Sequence, residues 1–362
     1  MTITLPRPTV QQALGRAVTE HRLPGILAVV RDGHDTRFGT AGVADIGTGE
    51  QRRPEERFRV GSITKTFTAA VVLQLAAEDK LSLDDTVDAW LPGLVRGNGH
   101  DGRAITLRHL LSMTSGLSNY SLDPGLLSRY YGPAFMEHRF DSHTPEQLVR
   151  VAMAHEPDFA PGRGWTYTNT GYILAGMIIE RVSGETFAEQ VSRRVVRPLG
   201  LTGTYVPGGE VGIRGPHARH YSTNYVPDAD AEIHDVTDMN ASVGWTAGGM
   251  VSNVADLDRF FTALLKGRLL PQAQQEEMFA TVPTPEGKWI PGTPTYGLGM
   301  SSLRLPGGRT VWGMGGAING SFSFAYGTRD GERMVVQNVN GDWNDPIGLF
   351  MEVLEAEFGP AD

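Results

Sequence analysis

The residues best suited to chemistry in this sequence are Ser62 and Lys65, which lie three positions apart in RFRVGSITKTFTAAVVLQL. A serine hydroxyl is a weak nucleophile until a base removes its proton, and a lysine amine can do so when burial lowers its pKa. The apolar run that follows predicts a helix, so the spacing places both side chains on one helix face. The start of that helix would present backbone N–H groups to an oxyanion. In the alternative interpretation, Ser62 is only a helix N-cap.

A tyrosine and an asparagine form the second candidate pair, Tyr167 and Asn169, in PGRGWTYTNTGYILAGMIIE. A phenol can transfer a proton, and an amide can both donate and accept hydrogen bonds. The alternative is that Asn169 caps the following helix and Tyr167 is a half-buried packing residue.

The third candidate is the glycine-rich segment VWGMGGAINGSFSFAYG. Gly315 and Gly316 would let a substrate lie against the backbone of a strand, although a bulged edge strand without a role has the same pattern. Tyr120 and Trp245 are candidate walls for an apolar acyl group, and aromatic residues in a core would look the same.

The elements that position these residues are strands at both ends of the chain and helices between them. GILAVVRDGHDTRFGTAGVAD predicts a hairpin, and RTVWGMGG followed by SFSFAYGTRDGERMVVQNVN predicts further strands before a helix from about Pro346 to Phe358. The middle segments have apolar residues at helical spacing, and Asp84 and Thr144 are candidate helix starts.

This order of elements predicts an α/β fold of the α+β type, with an antiparallel sheet flanked by helices and a mostly helical domain beside it. We expect a discontinuous sheet domain, residues 1–80 and 240–362, and a helical domain, residues 81–239. The cleft between the two domains is the expected active site.

The composition excludes several classes of function. The 362 residues carry a net charge of −9 and include no cysteine, so disulfides, thiolate catalysis, zinc–thiolate sites and iron–sulfur clusters are excluded. The negative charge disfavours nucleic acid as a partner. No apolar run is long enough to span a membrane, and the first residues lack the pattern of a signal peptide. We therefore expect a cytoplasmic monomer or homodimer that has no membrane partner, cofactor or metal.

Taken together and in this order, the three segments resemble the superfamily of penicillin-binding proteins and class C β-lactamases. That superfamily uses S-x-x-K, then Y-x-N, then K-T-G or H-x-G on a strand edge. The similarity continues through ITLRHLLSMTSGL, AGGMVSNVADLDRFFTALLKG and YGLGM, and covers roughly Leu14 to Phe358. It is closest in character to the soluble DD-peptidase and esterase branch, and it implies the β-lactamase/DD-peptidase fold.

The resemblance also implies roles for the candidate residues. Ser62 would be the acylated nucleophile, and Lys65 would share in its deprotonation. Tyr167 would pass the proton to the leaving group, and Asn169 would hold Lys65 and the substrate. The backbone N–H groups of Ser62 and Ala317 would form the oxyanion hole.

The sequence departs from the superfamily in the third motif. Met314 stands where a Lys or His is expected, and the segment 315–317, Gly-Gly-Ala, stands where carboxypeptidase members have a hydroxyl residue that helps to hold a substrate carboxylate. Arg304, near the YGLG segment, is the one candidate replacement on the neighbouring strand. A carboxylate without a charged partner loses about 1.5–3 kcal/mol of binding. We therefore expect Met314, Gly315 and Gly316 to contact an uncharged substrate.

Three functions remain from this reasoning. The leading one is an enzyme that forms an acyl-enzyme on Ser62 and passes the acyl group of a small ester or amide to water or to an amine, possibly in natural-product metabolism. The second is a DD-carboxypeptidase or β-lactamase. The third is a catalytically silent binding protein on the same fold, against which the presence of Ser62, Lys65, Tyr167 and Asn169 argues.

Overall fold

A computed structural model of the chain describes residues 8–226, 230–287 and 290–359. The strands in these ranges are, in chain order, β1 (Gly25–Asp32), β2 (Asp35–Gly42), β3 (Arg57–Arg59), β4 (Arg96–Gly97), β5 (His100–Asp101), β6 (Tyr221–Ser222), β7 (His234–Asp235), β8 (Val251–Asn253), β9 (Val282–Pro283), β10 (Thr295–Tyr296), β11 (Ser301–Arg304), β12 (Thr310–Ile318), β13 (Ser321–Gly327) and β14 (Arg333–Val339).

The α-helices of the same ranges are α1 (Pro8–Thr19), α2 (Thr64–Ala77), α3 (Val87–Trp90), α4 (Leu107–Leu111), α5 (Pro124–Tyr130), α6 (Phe135–His138), α7 (Pro145–Met153), α8 (Thr170–Ser183), α9 (Phe187–Val191), α10 (Arg197–Leu199), α11 (Trp245–Gly248), α12 (Val254–Leu265), α13 (Gln272–Phe279) and α14 (Pro346–Phe358). Short 3₁₀ turns cover Gly61–Ile63, Tyr120–Leu122 and Ala241–Val243, and a π-helical turn covers Ser192–Val196.

Within the described residues, eight strands form one sheet in the order β2-β1-β14-β13-β12-β11-β10-β9. Each neighbouring pair is antiparallel. The predicted hairpin is confirmed as β1 and β2, and the predicted C-terminal strands and helix are confirmed as β12, β13, β14 and α14. The predicted antiparallel sheet flanked by helices is therefore confirmed.

The sheet has a hydrophobic core on each face because successive strand residues point to opposite sides. Leu27 and Val29 of β1 pack in the core that includes Phe67 of α2 and Phe260 of α12. Ile26, Ala28 and Val30 of the same strand pack in a second core under α1 and α14. Helix α2 lies deep in the first core, where eleven of its fourteen residues are buried. A helix that is apolar on every side is expected in such an interior position.

Side-chain caps fix the ends of several short helices. Thr144 begins α7 with a capping box, in which its hydroxyl accepts from the Gln147 N–H and the Gln147 side chain accepts from the Thr144 N–H. This confirms the prediction for Thr144. The prediction for Asp84 is wrong, because Thr86 is the residue whose side chain caps α3.

The sheet is built from residues 25–42 and 282–339, whereas α3 to α10 lie between Val87 and Leu199. The division of the chain at residues 80 and 240 stays a prediction. None of the helices in the described ranges has both the length and the apolar character needed to cross a lipid bilayer.

Candidate active site

Ser62 lies in the 3₁₀ turn that joins β3 to α2, and its side chain is half-buried. The N-cap position of α2 belongs to Ile63, and no side chain caps that end of the helix. The alternative in which Ser62 serves only as a cap is therefore wrong. The hydroxyl is instead held by two other side chains, those of Lys65 and Tyr167.

Two glycines let strand β12 pack against the backbone of this turn. Gly61 has φ +50°, and a Cβ placed on it would lie 2.6 Å from both the N and O atoms of Ala317. A Cβ on Gly316 would lie 2.0 Å from the Val60 oxygen and 2.7 Å from the Ser62 nitrogen. Real side chains do not tolerate such distances, so both positions require glycine. The result is that the exposed residue Ala317 lies beside the turn that carries Ser62.

Lys65 lies in the first turn of α2, and its side chain is fully buried. Its Nζ is 3.0 Å from Ser62 Oγ, 2.7 Å from Asn169 Oδ1 and 2.7 Å from the Ala247 carbonyl oxygen. Burial lowers the pKa of Lys65 well below its ordinary value of 10.5.

These contacts suit a neutral lysine amine, which has two N–H groups and one lone pair. Asn169 Oδ1 and the Ala247 carbonyl can only accept, so they take the two N–H groups. In the neutral form the lone pair is left for the proton of Ser62 Oγ, whereas a protonated amine donates to that oxygen across the same 3.0 Å. The arrangement therefore allows Lys65 to accept the serine proton directly.

Tyr167 approaches the serine from another side. Its hydroxyl donates to Ser62 Oγ across 2.6 Å. Burial is the largest influence on the phenol and raises the pKa of Tyr167 well above its ordinary value of 10.0, outweighing the lowering by the bond to Ser62. Tyr167 is therefore protonated at neutral pH and can donate a proton, whereas Lys65 must be neutral to accept one.

Asn169 occupies the N-cap position of α8, but its side chain makes no capping bond. The amide instead accepts from Lys65 and donates to Ser121 Oγ across 3.0 Å. Asn119 holds this arrangement through Oδ1, which accepts from the Asn169 N–H and from Ser121 Oγ. Asn119 and Ser121 were not among the residues predicted from the sequence. Their signal was the polar run SGLSNYS after α4, which has no helical or strand periodicity.

A cavity of about 410 Å³ opens beside Ser62, and we call it the outer cavity. Its described walls are apolar or uncharged, with no Asp, Glu, Lys, Arg or His among them. Leu122 and Leu127 lie at its mouth, where their side chains are 65% and 41% exposed. The described lining residues are Ser62, Asn119, Ser121, Leu122, Leu127, Tyr131, Tyr167, Asn169, Ile290, Gly315, Gly316, Ala317, Phe322, Phe324 and Ile347.

A much smaller space of about 30 Å³ lies on another side of Ser62, and we call it the inner pocket. Four residues line both spaces, namely Ser62, Tyr131, Asn169 and Ala317. The remaining walls of the inner pocket are Tyr120, Val243, Gly244, Ala247, Gly248 and Ile318.

Of the β12 residues predicted to contact the substrate, two line the outer cavity and one does not. Gly315 and Gly316 do line the outer cavity. The prediction that Met314 contacts the substrate is wrong, because its side chain is fully buried in the core with Ala325, its partner on β13. The alternation of β12 turns Met314 away from the cavity, and the uncharged character of the site comes from other residues.

The prediction that Trp245 forms a wall of the substrate site is also wrong. Its ring packs edge-on against Phe187 and lines a separate small pocket with Val206 and Pro207, and it lines neither the outer cavity nor the inner pocket. Tyr120 is fully buried and donates to the Val243 carbonyl, so it forms the back of the inner pocket.

Arg304 does not replace a carboxylate-binding group in the outer cavity. It lies at the end of β11 with an exposed side chain, and it lines a different groove with residues 284–287 and 290–294. Among the described residues, no group of three or more His, Asp or Glu side chains is arranged to hold a metal ion.

Comparison with known proteins gives one family. The model of the β-lactamase family matches residues 10–356. The chain is 28% identical to a penicillin-binding protein of Bacillus subtilis (strain 168) over 311 residues, which are 82% of this chain and 64% of that protein. It is 36% identical to esterase EstB of Burkholderia gladioli over 190 residues, which are 51% of this chain and 48% of that protein. The chain thus spans less than two thirds of the length of both relatives.

Two solved structures match over nearly their whole length. A D-stereospecific amidohydrolase from Streptomyces sp. superposes with a TM-score of 0.90 and is 47% identical, over 99% of this chain and 100% of that one. A D-amino acid amidase from Ochrobactrum anthropi SV3, solved with L-phenylalanine amide, superposes with a TM-score of 0.81 and is 25% identical, over 96% of this chain and 97% of that one.

Proposed function

Because the chain belongs to the β-lactamase family and is a serine hydrolase of that family, we propose that it hydrolyses amides and esters of small apolar D-amino acids through an acyl-enzyme on Ser62. The acyl donor is a small molecule and the acceptor is water. The names of the two solved relatives, a D-stereospecific amidohydrolase and a D-amino acid amidase, support the amide bond and the D configuration.

The observation that carries the proposal is the uncharged lining of the outer cavity beside Ser62 in the described residues. An apolar side chain gains free energy from burial there, by roughly 25 cal/mol for each Å² removed from water. A substrate carboxylate would find no charged partner among those residues and would forgo about 1.5–3 kcal/mol. The cavity thus favours an amide or ester over a peptidoglycan stem or a penicillin, both of which carry a free carboxylate.

Acylation uses the two side chains that contact Ser62 Oγ, Lys65 and Tyr167. Ser62 Oγ attacks the substrate carbonyl carbon while its proton passes to the neutral amine of Lys65, 3.0 Å away. The carbonyl oxygen becomes an oxyanion that the N–H groups of Ser62 and Ala317 stabilise. The carbon–nitrogen bond then breaks as Tyr167 gives its proton to the leaving amine, and Lys65 returns a proton to Tyr167. The products of this step are the ester on Ser62 and ammonia or an amine.

Deacylation runs through the same groups in reverse. Water gives a proton to Tyr167 as Tyr167 passes its own proton to the neutral amine of Lys65, and the water oxygen attacks the ester carbon. The bond from that carbon to Ser62 Oγ then breaks, and Lys65 returns the proton to Ser62 Oγ. Asn169 keeps Lys65 oriented in both steps through the 2.7 Å bond from Nζ to Oδ1. No step in this scheme requires a metal or an organic cofactor.

The experiment that tests the proposal measures hydrolysis of D- and L-phenylalanine amide by the wild-type protein and by Ser62→Ala. We expect turnover of the D-amide by the wild type, a lower kcat/KM for the L-amide, and none by Ser62→Ala. Intact-protein mass after mixing with a small activated D-phenylalanine ester should show one acyl adduct on the wild type only.

Three outcomes would contradict the proposal. An adduct on Ser62→Ala would place the nucleophile elsewhere, and equal turnover of both enantiomers would remove the D preference. An adduct that an added amine discharges faster than water would make the protein a transacylase.

A further inference from the structure

Ser62 separates two compartments of very different size and character. The outer cavity has about 410 Å³ and mostly apolar walls. The inner pocket has about 30 Å³, which is room for one or two water-sized groups. Because Ser62, Asn169 and Ala317 border both, an acyl group attached to Ser62 Oγ has access to either side.

The inner pocket is closed by well-anchored residues. Tyr120 is 1% exposed, and its hydroxyl donates to the Val243 carbonyl. Val243 is 4% exposed and belongs to the main hydrophobic core, as does Ala247 beside it. The pocket therefore cannot widen for a bulky group without disturbing the core.

The walls of the inner pocket are also more polar than those of the outer cavity. They include the Ser62 hydroxyl, the Asn169 amide and the Ala247 carbonyl to which Lys65 donates. A small hydrogen-bonding group fits this environment, whereas Phe322, Phe324 and the other apolar walls across Ser62 fit a hydrocarbon.

We propose that the inner pocket is the filter for the configuration of the substrate, because it admits the α-amino group of the acyl unit and excludes its side chain. The inference rests on the proposed function, which supplies an α-amino acyl substrate of D configuration. With the carbonyl group fixed at Ser62, the two enantiomers exchange the positions of the amino group and the side chain. The D-enantiomer places its amino group in the inner pocket and its side chain in the outer cavity.

The L-enantiomer would need its side chain in the inner pocket. A methyl group is close in size to an amino group, whereas a benzyl group is far larger than the 30 Å³ available. The D/L ratio of kcat/KM should therefore be small for alanine amide and large for phenylalanine amide. Glycine amide has no stereocentre and can place its amino group on either side.

Two substitutions change the inner pocket in opposite directions. Val243→Ala enlarges it while keeping the backbone carbonyl that binds Tyr120. Gly248→Ala fills it, and the new methyl group has no contact closer than 3.7 Å, the distance to the Gly61 carbonyl carbon, so the fold tolerates it. Gly15→Ala is the matched control, since a Cβ on this glycine of α1 meets nothing within 4 Å.

The experiment measures kcat/KM for glycine amide and for both enantiomers of alanine and phenylalanine amide. Val243→Ala should lower the D/L ratio for phenylalanine amide by at least about tenfold, mainly by raising the L value, since one methyl group in a pocket changes discrimination on that scale. Gly248→Ala should lower kcat/KM for D-alanine amide by about the same factor and lower that for glycine amide less, because glycine amide has no side chain and can turn its amino group away from the filled pocket. Gly15→Ala should match the wild type.

The results separate this inference from the function on which it rests. A wild type with no D preference contradicts the proposed function, and the filter falls with it. If the wild type is D-selective but a folded Val243→Ala protein keeps its D/L ratio for phenylalanine amide within about twofold of the wild-type value, the filter alone is overturned. Equal losses on glycine and alanine amides in Gly248→Ala would also overturn it, since the pocket would then act on catalysis in general.

Discussion

A methyl group on the Cα of Gly316 would lie 2.7 Å from the backbone nitrogen of Ser62. Strand β12 therefore contacts the nucleophile turn backbone to backbone, without an intervening side chain. From Met314 onward β12 pairs with β13 alone among the described strands, so its other edge faces this turn. Glycine at position 316 is required by the turn itself, whatever substrate the cavity takes.

Gly316→Ala should therefore lose at least about a hundredfold in kcat for amide hydrolysis, because Ser62 and Ala317 must move apart by more than an oxyanion hole tolerates. Overpacking should also cost about 1–3 kcal/mol of unfolding free energy. Steady-state kinetics and urea unfolding measure both effects, with Gly209→Ala as the control because a Cβ there meets nothing within 4 Å. Wild-type kcat in Gly316→Ala would contradict the close contact.

Lys65→Arg tests whether Lys65 acts as a base or only as a positive charge. Arginine stays protonated at every accessible pH, so it cannot accept the Ser62 proton. We expect both Lys65→Arg and Lys65→Met to lose about 10²–10⁴ in the rate of acylation. Lys80→Arg, on the exposed lysine paired with Glu78, is the control and should be unaffected. If Lys65→Arg retains most of the acylation rate, Lys65 acts through its charge.

The buried amine of Lys65 should also make stability depend on pH. Its pKa is depressed in the folded protein and returns toward 10.5 on unfolding, so the unfolded chain binds the extra proton between those two values. In that window the wild type gains up to about 1.4 kcal/mol of unfolding free energy per pH unit as the pH rises, relative to Lys65→Met. Urea titrations of both proteins between neutral pH and pH 10 measure the difference. Parallel curves would mean that Lys65 is charged when folded.

Tyr167→Phe should affect amides far more than activated esters. The phenol donates to Ser62 Oγ across 2.6 Å and supplies the proton that an amine leaving group requires. A nitrophenolate leaves without that proton, so we expect a loss of about 10²–10⁴ on phenylalanine amide and at most about tenfold on its p-nitrophenyl ester. Tyr326→Phe removes another buried phenol, bonded to Ser301 at 2.7 Å, and is the matched control. Equal losses on both substrates would give Tyr167 a different role.

Penicillins should acylate Ser62 slowly. The described walls of the outer cavity offer no cation for the penicillin carboxylate, a loss of about ten- to a hundredfold in binding. Intact-protein mass against time, with benzylpenicillin and with an uncharged ester at the same concentration, measures the two rates. A penicillin adduct that forms as fast as the ester adduct would revive the interpretation as a β-lactamase or DD-carboxypeptidase.

Much of this protein could be predicted from local sequence. Runs rich in β-forming residues around Asp-Gly turns predicted β1, β2 and β14, because strand propensity and turn chemistry are properties of neighbouring residues. The spacing of Ser62 and Lys65 predicted their contact, since residues three apart share a helix face. The resemblance to the family added the prediction that Tyr167 and Asn169 act together with Ser62 and Lys65. These two residues lie about a hundred residues further along the chain.

The tertiary structure alone decided which neighbouring residues face the substrate. Met314 and Gly315 are adjacent on β12, yet Met314 lies in the core and Gly315 lines the outer cavity. Alternation tells that they face opposite sides, but the elements packed on each side determine which side is the cleft. The walls of that cleft come from Leu122, Phe322 and Ile347, far apart in sequence, and only chain packing brings them to Ser62.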